Sequence, residues 1–243
     1  LILKKQDFGL AFFIISIFGG VEQLRLKELF LKLPKLHKKD EMKPLSDISL
    51  LDFSKTYSYA DYLKWEFQDR LELIKGKIFT MSPAPATRHQ QISSKISNRL
   101  WNFLEYKQCQ VFVAPFDVRL PIKSKKNADV GTVVQPDICV ICDLYKIDSK
   151  GCLGAPDLII EVLSPGNSKK EMKDKYEVYE ESGVKEYWLV DISNECVFVY
   201  VLDKSGKYTG LKPFVTEDII ESNTLLGFSI STQDIFNTPK ILK

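Results

Sequence analysis

The sequence predicts an α/β domain, a mixed β-sheet with helices packed on it, and three observations carry that prediction. The run "PDLIIEVLSPG" (156–166) packs Leu158, Ile159, Ile160, Val162 and Leu163 into one stretch, the density of a strand covered on both faces. That run leads through a Ser-Pro-Gly turn to a helix from about Lys169 to Ser182, stopped by Gly183, and then to a second apolar strand. A strand–helix–strand step makes parallel neighbours. Hairpin signals at Lys75-Gly76 and between 185–192 and 195–203 require antiparallel pairs as well.

The remaining elements follow in chain order. "SYADYLKWEFQDR" (58–70) reads as a short helix with Ser58 at its N-cap. "LELIKGKIFTMSP" (71–83) is the first hairpin. In "ATRHQQISSKISNRLWNFLEYK" (86–107), Ile92, Ile96, Leu100, Phe103 and Leu104 recur at helical spacing. "CQVFVAPFDVRLP" (109–121) is a strand broken or bulged at Pro115. "KSKKNADVG" (123–131) is a polar loop, "VVQPDICVIC" (133–142) a strand, and "DLYKIDSKGCLGAP" (143–156) a connection. A last short strand is expected near Leu225–Ile230.

Residues 42–243 are expected to form one domain, with 1–41 as an extension. That extension carries eight Lys/Arg against five Asp/Glu and an apolar run, "FGLAFFIISIFGG", too short for the ~20 residues of a membrane span. The first methionine is Met42, which suggests translation from there and an extension foreign to the native protein; a weak membrane-surface anchor is the competing reading. Removing the extension turns the net charge of +2 slightly negative, so no global basic field advertises nucleic acid. Five cysteines, an odd number at irregular spacings, argue for a reducing, cytoplasmic setting over a disulfide framework. Cys139 and Cys142 have Cys-x-x-Cys spacing, but residues three apart on a strand face opposite ways; small buried hydrophobes are the better reading.

Glu161 stands in the middle of its apolar strand, where a carboxylate costs free energy unless something pairs with it. Alternation puts Asp137, Cys139 and Ile141 on one face of their strand and Asp157, Ile159, Glu161 and Leu163 on one face of the next. If the two strands are neighbours, Asp137 and Glu161 converge. On the following helix, at about 100° per residue, Lys175 shares the apolar shoulder of Met172, Tyr176 and Tyr179. Lys170, Lys173, Asp174, Glu177 and Glu181 lie opposite. Two carboxylates and a lysine suit Mg²⁺ or Mn²⁺, which take hard oxygen ligands, and metal-assisted phosphodiester hydrolysis. The same three groups would equally serve as a buried ion-pair network.

The stretches "MSPAPATRHQQIS", "VFVAPFDVRLP", "VVQPDICVI" and "GAPDLIIEVLSPGNSKKEMKDKYEVYEESGVKEYWLVD" resemble the Uma-type "putative restriction endonuclease" family of the PD-(D/E)XK nuclease superfamily, over about residues 57–230. The resemblance implies a restriction-endonuclease-like core, a mixed central sheet flanked by helices, and Mg²⁺- or Mn²⁺-dependent hydrolysis of nucleic acid, with DNA the expected substrate and a homodimer the expected assembly. It carries the catalytic roles onto Asp137, Glu161 and Lys175, and metal ligation onto Asp137, Glu161 and the backbone carbonyl of Val162. Pro136-Asp137 matches the superfamily's first acidic position. Leu163 fills the usual lysine slot after Glu161, and Lys175 matches the position to which this family's lysine has moved. Glu171 stands where relatives more often carry Asp. Pro156-Asp157 is a decoy: Asp157 sits about 13 Å along the strand from Glu161 and shapes the strand entry. Glu72, His89 and Arg88 are secondary candidates, Glu72 as an acidic residue from the N-terminal segment and the other two for phosphate contact or helix capping. Tyr179 and Trp188 read as core, and Lys123, Lys125 and Lys126 as a solvated run or backbone contacts. A nuclease-fold module that binds nucleic acid or regulates without turnover is the alternative, motivated by Leu163 and the slightly acidic body. A serine hydrolase is disfavoured, since no Gly-x-Ser-x-Gly elbow occurs.

Overall fold

The computed structural model describes residues 45–81, 86–122, 124–164 and 169–237, the side chains of 169–171 excepted. The readings of the extension 1–41, and those of Lys123 and the side chain of Glu171, lie outside the described residues.

Alternation and helical periodicity are realised where they were strongest. Strands β1 (Leu71–Ile74) and β2 (Lys77–Thr80) pair as an antiparallel hairpin. Its turn residues, Lys75 and Gly76, both take positive φ, 51° and 79°, as a two-residue primed turn requires. Helix α1 is confined to Tyr59–Tyr62, shorter than the sequence suggests. Asp61 accepts from both the backbone N–H and the hydroxyl of Ser58 at its start, and Trp65 leaves the helix to bridge Leu45. Helix α2 (Thr87–Leu104) buries His89, Ile92, Ile96, Leu100 and Leu104 as a single stripe.

The strand read as interrupted at Pro115 is divided there, and the one read across Pro136 divides as well. β3 (Gln110–Val113) and β4 (Val118–Arg119) flank Pro115, and β5 (Val133–Val134) and β6 (Ile138–Ile141) flank Pro136. In each case the proline lacks an N–H for a ladder, and the chain passes from one sheet to another there. The 143–156 connection contains a small hairpin, β7 (Ile147–Asp148) and β8 (Gly151–Leu153). Then come β9 (Leu158–Leu163), helix α3 (Lys169–Ser182), β10 (Glu186–Asp191), β11 (Cys196–Leu202) and β12 (Tyr208–Gly210). A two-stranded ribbon, β13 (Ile219–Glu221) with β14 (Ser229–Ser231), and the short helix α4 (Thr232–Phe236) complete the described chain.

The architecture is mixed α/β, as expected, with the strands distributed over two six-stranded sheets, β2-β1-β5-β4-β8-β7 and β12-β11-β10-β9-β6-β3. β9 and β10 are parallel across the α3 crossover, while β6 runs antiparallel to β9. In the second sheet Ile138, Val140, Leu158, Ile160, Val162, Trp188 and Val190 pack in one cluster with the buried stripe of α2. Cys139, Ile141, Ile159, Tyr187 and Leu189 form another with Val178 and Tyr179 of α3. Each face of β9 is therefore covered, which is why its sequence is apolar without alternation.

One expectation is corrected. Cys109 and Cys142 are joined in a disulfide, because the β3–β6 register, Gln110 opposite Ile141, sets the two cysteines across from each other just beyond the ladder. Cys139, Cys152 and Cys196 are free and buried. Asp157 shapes the strand entry as expected: it accepts from the Cys142 N–H at 2.7 Å and pairs with Lys185 at 2.6 Å.

Candidate active site

The site is assembled where β9 passes β6. Ile138 pairs with Ile160 in this antiparallel ladder, so one further step sets Asp137 opposite Glu161. Both belong to the odd-numbered face that looks toward α3. Lys175, on the inner shoulder of α3, reaches Glu161 Oε1 with its Nζ at 3.0 Å. The same Nζ lies 3.1 Å from Glu72 Oε2. Glu72 enters from β1 of the other sheet and is fully buried, and its Oε1 accepts from the Gln135 backbone N–H at 2.7 Å. Lys175 thus ties a carboxylate from each sheet to one helix.

Asp137 is the more accessible carboxylate, about a fifth exposed at its side chain. Its Oδ2 accepts from the Val162 N–H at 2.8 Å and lies 3.2 Å from His89 Nε2. His89 projects from the first turn of α2 and is buried. Burial opposes its charge, but the bond to and charge of Asp137, the Val162 carbonyl and the Glu161 charge outweigh that and raise its pKa.

Glu161 is the strained charge of the cluster. Burial pushes its carboxyl up; Lys175 pulls down, Asp137 and Glu72 push up again, and the Tyr179 bond pulls down, leaving it at about 7. Tyr179 Oη donates to Glu161 Oε1 at 2.6 Å. Burial and the neighbouring carboxylates hold this phenol well above its usual pKa, so it acts as a donor. Sequence reasoning assigned Tyr179 to the core. It does line the core, and it also shares the helix face of Lys175 one turn away, the spacing that could have found it. Tyr179→Phe keeps the ring and removes the donor. It is expected to cost about 1–3 kcal/mol and to raise the Glu161 pKa further, measurable by thermal unfolding as a function of pH.

The structure thus gathers Asp137, Glu161, Lys175, Glu72 and His89. Arg88 is not brought to them: its Nη2 bonds Glu195 at 2.9 Å and the Phe236 carbonyl at 2.7 Å, tying α2 to the β10–β11 turn and to α4. Adjacent residues on a helix point about 100° apart, so His89 and Arg88 could not both face the cluster.

Among the described residues no group of three or more His, Cys, Asp and Glu side chains is disposed to cage a metal. The two carboxylates fit a sparser mode. A hard divalent cation is commonly held by one or two carboxylates, with waters and substrate oxygens completing the shell. Glu161, buried in an apolar strand with its charge only partly compensated, is the kind of ligand such a cation would relieve. No helix among the described residues is long and apolar enough to cross a membrane.

Comparison with known proteins bears on the family and the fold. A family model described as "Uma2: Putative restriction endonuclease" matches residues 59–233. The uncharacterised protein slr1290 of Synechocystis sp. (strain ATCC 27184 / PCC 6803 / Kazusa) is 25% identical over 182 residues, covering 74% of this chain and 90% of that protein. Among solved structures, a protein of Anabaena variabilis ATCC 29413 described as a putative nuclease belonging to DUF820 superposes with a TM-score of 0.58 at 22% identity, over 74% of this chain and 97% of that one. At that identity the likeness speaks for the fold.

Proposed function

The chain belongs to the Uma2 family of putative restriction endonucleases, and from that premise we propose that it is a divalent-metal-dependent endonuclease hydrolysing phosphodiester bonds of DNA, with Mg²⁺ or Mn²⁺ as cofactor. The observation that carries the reading is Asp137 and Glu161 side by side on antiparallel strands, with Lys175 Nζ 3.0 Å from Glu161.

Asp137, Glu161 and the Val162 backbone carbonyl would hold the cation; Val162 follows Glu161 in sequence, and its N–H bonds Asp137. When bound, the cation would polarise the phosphodiester and acidify a water. The chain's own groups do the rest. His89 and the Val162 N–H both engage Asp137 Oδ2 and fix that carboxylate's orientation. Lys175 and Tyr179 do the same for Glu161 Oε1. The Lys175 ammonium supplies fixed positive charge beside the reacting phosphate, where negative charge grows in the transition state. Glu72 holds Lys175 from the far side and so sets where that charge sits.

The test is calorimetric titration of Mg²⁺ and Mn²⁺ into the wild type and Glu161→Ala, with cleavage of plasmid DNA followed alongside. Binding lost in the variant together with wild-type nicking is the expected result. Binding indifferent to Glu161, with no nicking, would return the cluster to a buried ion-pair network in a non-catalytic module. A pH dependence follows. A cation must displace the Glu161 proton, which leaves near pH 7, so Mn²⁺ affinity should be about tenfold weaker at pH 6 than at pH 8.

Two further parts of the reading are an assembly and a place. The expected assembly is a homodimer, checked by sedimentation. Cytoplasmic residence is proposed with it, and a thiol count on protein taken from a reducing cytoplasm checks it against the Cys109–Cys142 bond. Three free thiols would mean that the bond persists there, and five that it does not.

A further inference from the structure

We propose that the cleft beside the carboxylate cluster receives an unpaired nucleobase, which makes single-stranded or locally unpaired nucleic acid the preferred substrate; this rests on the nuclease reading above. The cleft has a volume of about 210 Å³ and is lined by Tyr62, Trp65, Phe67, Arg70, Leu71 and Gln135.

Its walls are flat groups. The Trp65 and Phe67 ring centroids are 5.7 Å apart, as are those of Tyr62 and Trp65. Tyr62 and Trp65 also serve a small core with Tyr59 and Leu73. Phe67 packs in none of the hydrophobic clusters among the described residues, although its ring is half-buried against Trp65. Phe67 is thus a lining ring that the core does not use, and base–aromatic stacking tolerates every base because each has a π-face.

The polar wall is held rigid. Arg70 grips Gln135 Oε1 with Nε at 2.9 Å and Nη2 at 2.7 Å. Gln135 Nε2 in turn donates to Asp117 Oδ1 at 2.9 Å and to Tyr62 Oη at 3.3 Å. Arg70 is thereby fixed as a planar platform and donor. Asp69 also lines the cleft; a carboxylate there repels a phosphate and leaves the base as the fitting occupant.

The cleft is tied to the site through the chain, although none of the cluster's own side chains lines it. Leu71 precedes Glu72. The Gln135 backbone N–H holds Glu72 Oε1, and Asp137 follows two residues later, about 7 Å along an extended chain. A nucleotide next to a phosphate at Asp137 can reach the cleft. A base stacked and paired inside a duplex cannot enter it without being extruded, which costs unstacking and unpairing energy.

The experiment measures binding of a short fluorescein-labelled single strand and of its duplex to the full chain in EDTA, by anisotropy, alongside cleavage of both with Mn²⁺. Phe67→Ala and Arg70→Ala should each weaken single-strand binding about tenfold and leave duplex binding within about twofold, with Phe67→Trp restoring it. Unfolding midpoints separate this from loss of fold. Wild-type cleavage with single-strand binding unmoved in both variants overturns the cleft and leaves the nuclease standing. Single-strand binding lost in the variants, with no cleavage by the wild type, keeps the cleft as a base-binding site and overturns hydrolysis. A wild type that neither binds nor cuts overturns both.

Discussion

Asp137→Asn should abolish metal-dependent cleavage while leaving the fold in place. The amide keeps an oxygen where Asp137 Oδ2 now accepts from the Val162 N–H at 2.8 Å, so the strand junction retains its hydrogen bond. What disappears is the negative charge. A cation held by two carboxylates would lose half of its protein ligand charge, and stabilisation by a bound metal is worth several kcal/mol. At about 1.4 kcal/mol per decade, the rate should fall by about three orders of magnitude. A second readout moves with it. His89 owes its raised pKa in large part to Asp137, so in the variant burial prevails and the His89 titration shifts to lower pH, visible in its imidazole proton resonances. An unchanged His89 titration would mean that the two groups are not coupled as the 3.2 Å contact implies. Unchanged cleavage would remove Asp137 from the reaction.

How much of this site could be read from residues alone depended on the range of the physics involved. Asp137 and Glu161 were legible because the strand period is two and β6 and β9 do pair, although the small β7–β8 hairpin intervenes in the chain. Lys175 was legible because a wheel angle is a local quantity. Glu72 was visible only as a candidate: its pairing with Lys175 links the first sheet to α3, and nothing local specifies a contact across about a hundred residues. Tyr179 escaped because an aromatic residue on an apolar helix face has the same periodicity whether or not its hydroxyl finds a carboxylate. The strands read across Pro115 and Pro136 were each continuous in composition, and the proline carried the signal that they divide. The Cys109–Cys142 pair depends on the β3–β6 register, which composition does not reveal. The mixed α/β class, by contrast, rests on the β9–α3–β10 step and the hairpins, all short-range features, and it holds.

Lys175→Met should be the most destabilising single change in the cluster. The lysine is buried, and its Nζ lies between Glu72 Oε2 at 3.1 Å and Glu161 Oε1 at 3.0 Å. Methionine fills a similar volume without charge, so the cost is electrostatic and not that of a cavity. Removing one partner of a buried ion pair costs about 3–5 kcal/mol. Here two carboxylates lose their shared counter-ion with Asp137 nearby. Glu161, already pushed up to about 7, loses its strongest downward influence and rises further. A carboxyl whose folded pKa lies above its unfolded value binds more protons folded than unfolded, so its contribution favours the fold at low pH and declines as pH rises through that interval. The variant should therefore be more stable at pH 6 than at pH 8, by a wider margin than the wild type. If Asp137 and Glu161 hold a divalent cation, added Mn²⁺ should recover part of the loss at pH 8 by mass action, even though cleavage stays impaired for want of the ammonium. Thermal unfolding at the two pH values, with and without Mn²⁺, reads all of this in one series. A variant as stable as wild type at pH 8 would show that the carboxylates do not depend on Lys175. A destabilised variant that Mn²⁺ leaves untouched would mean that these carboxylates are no metal site.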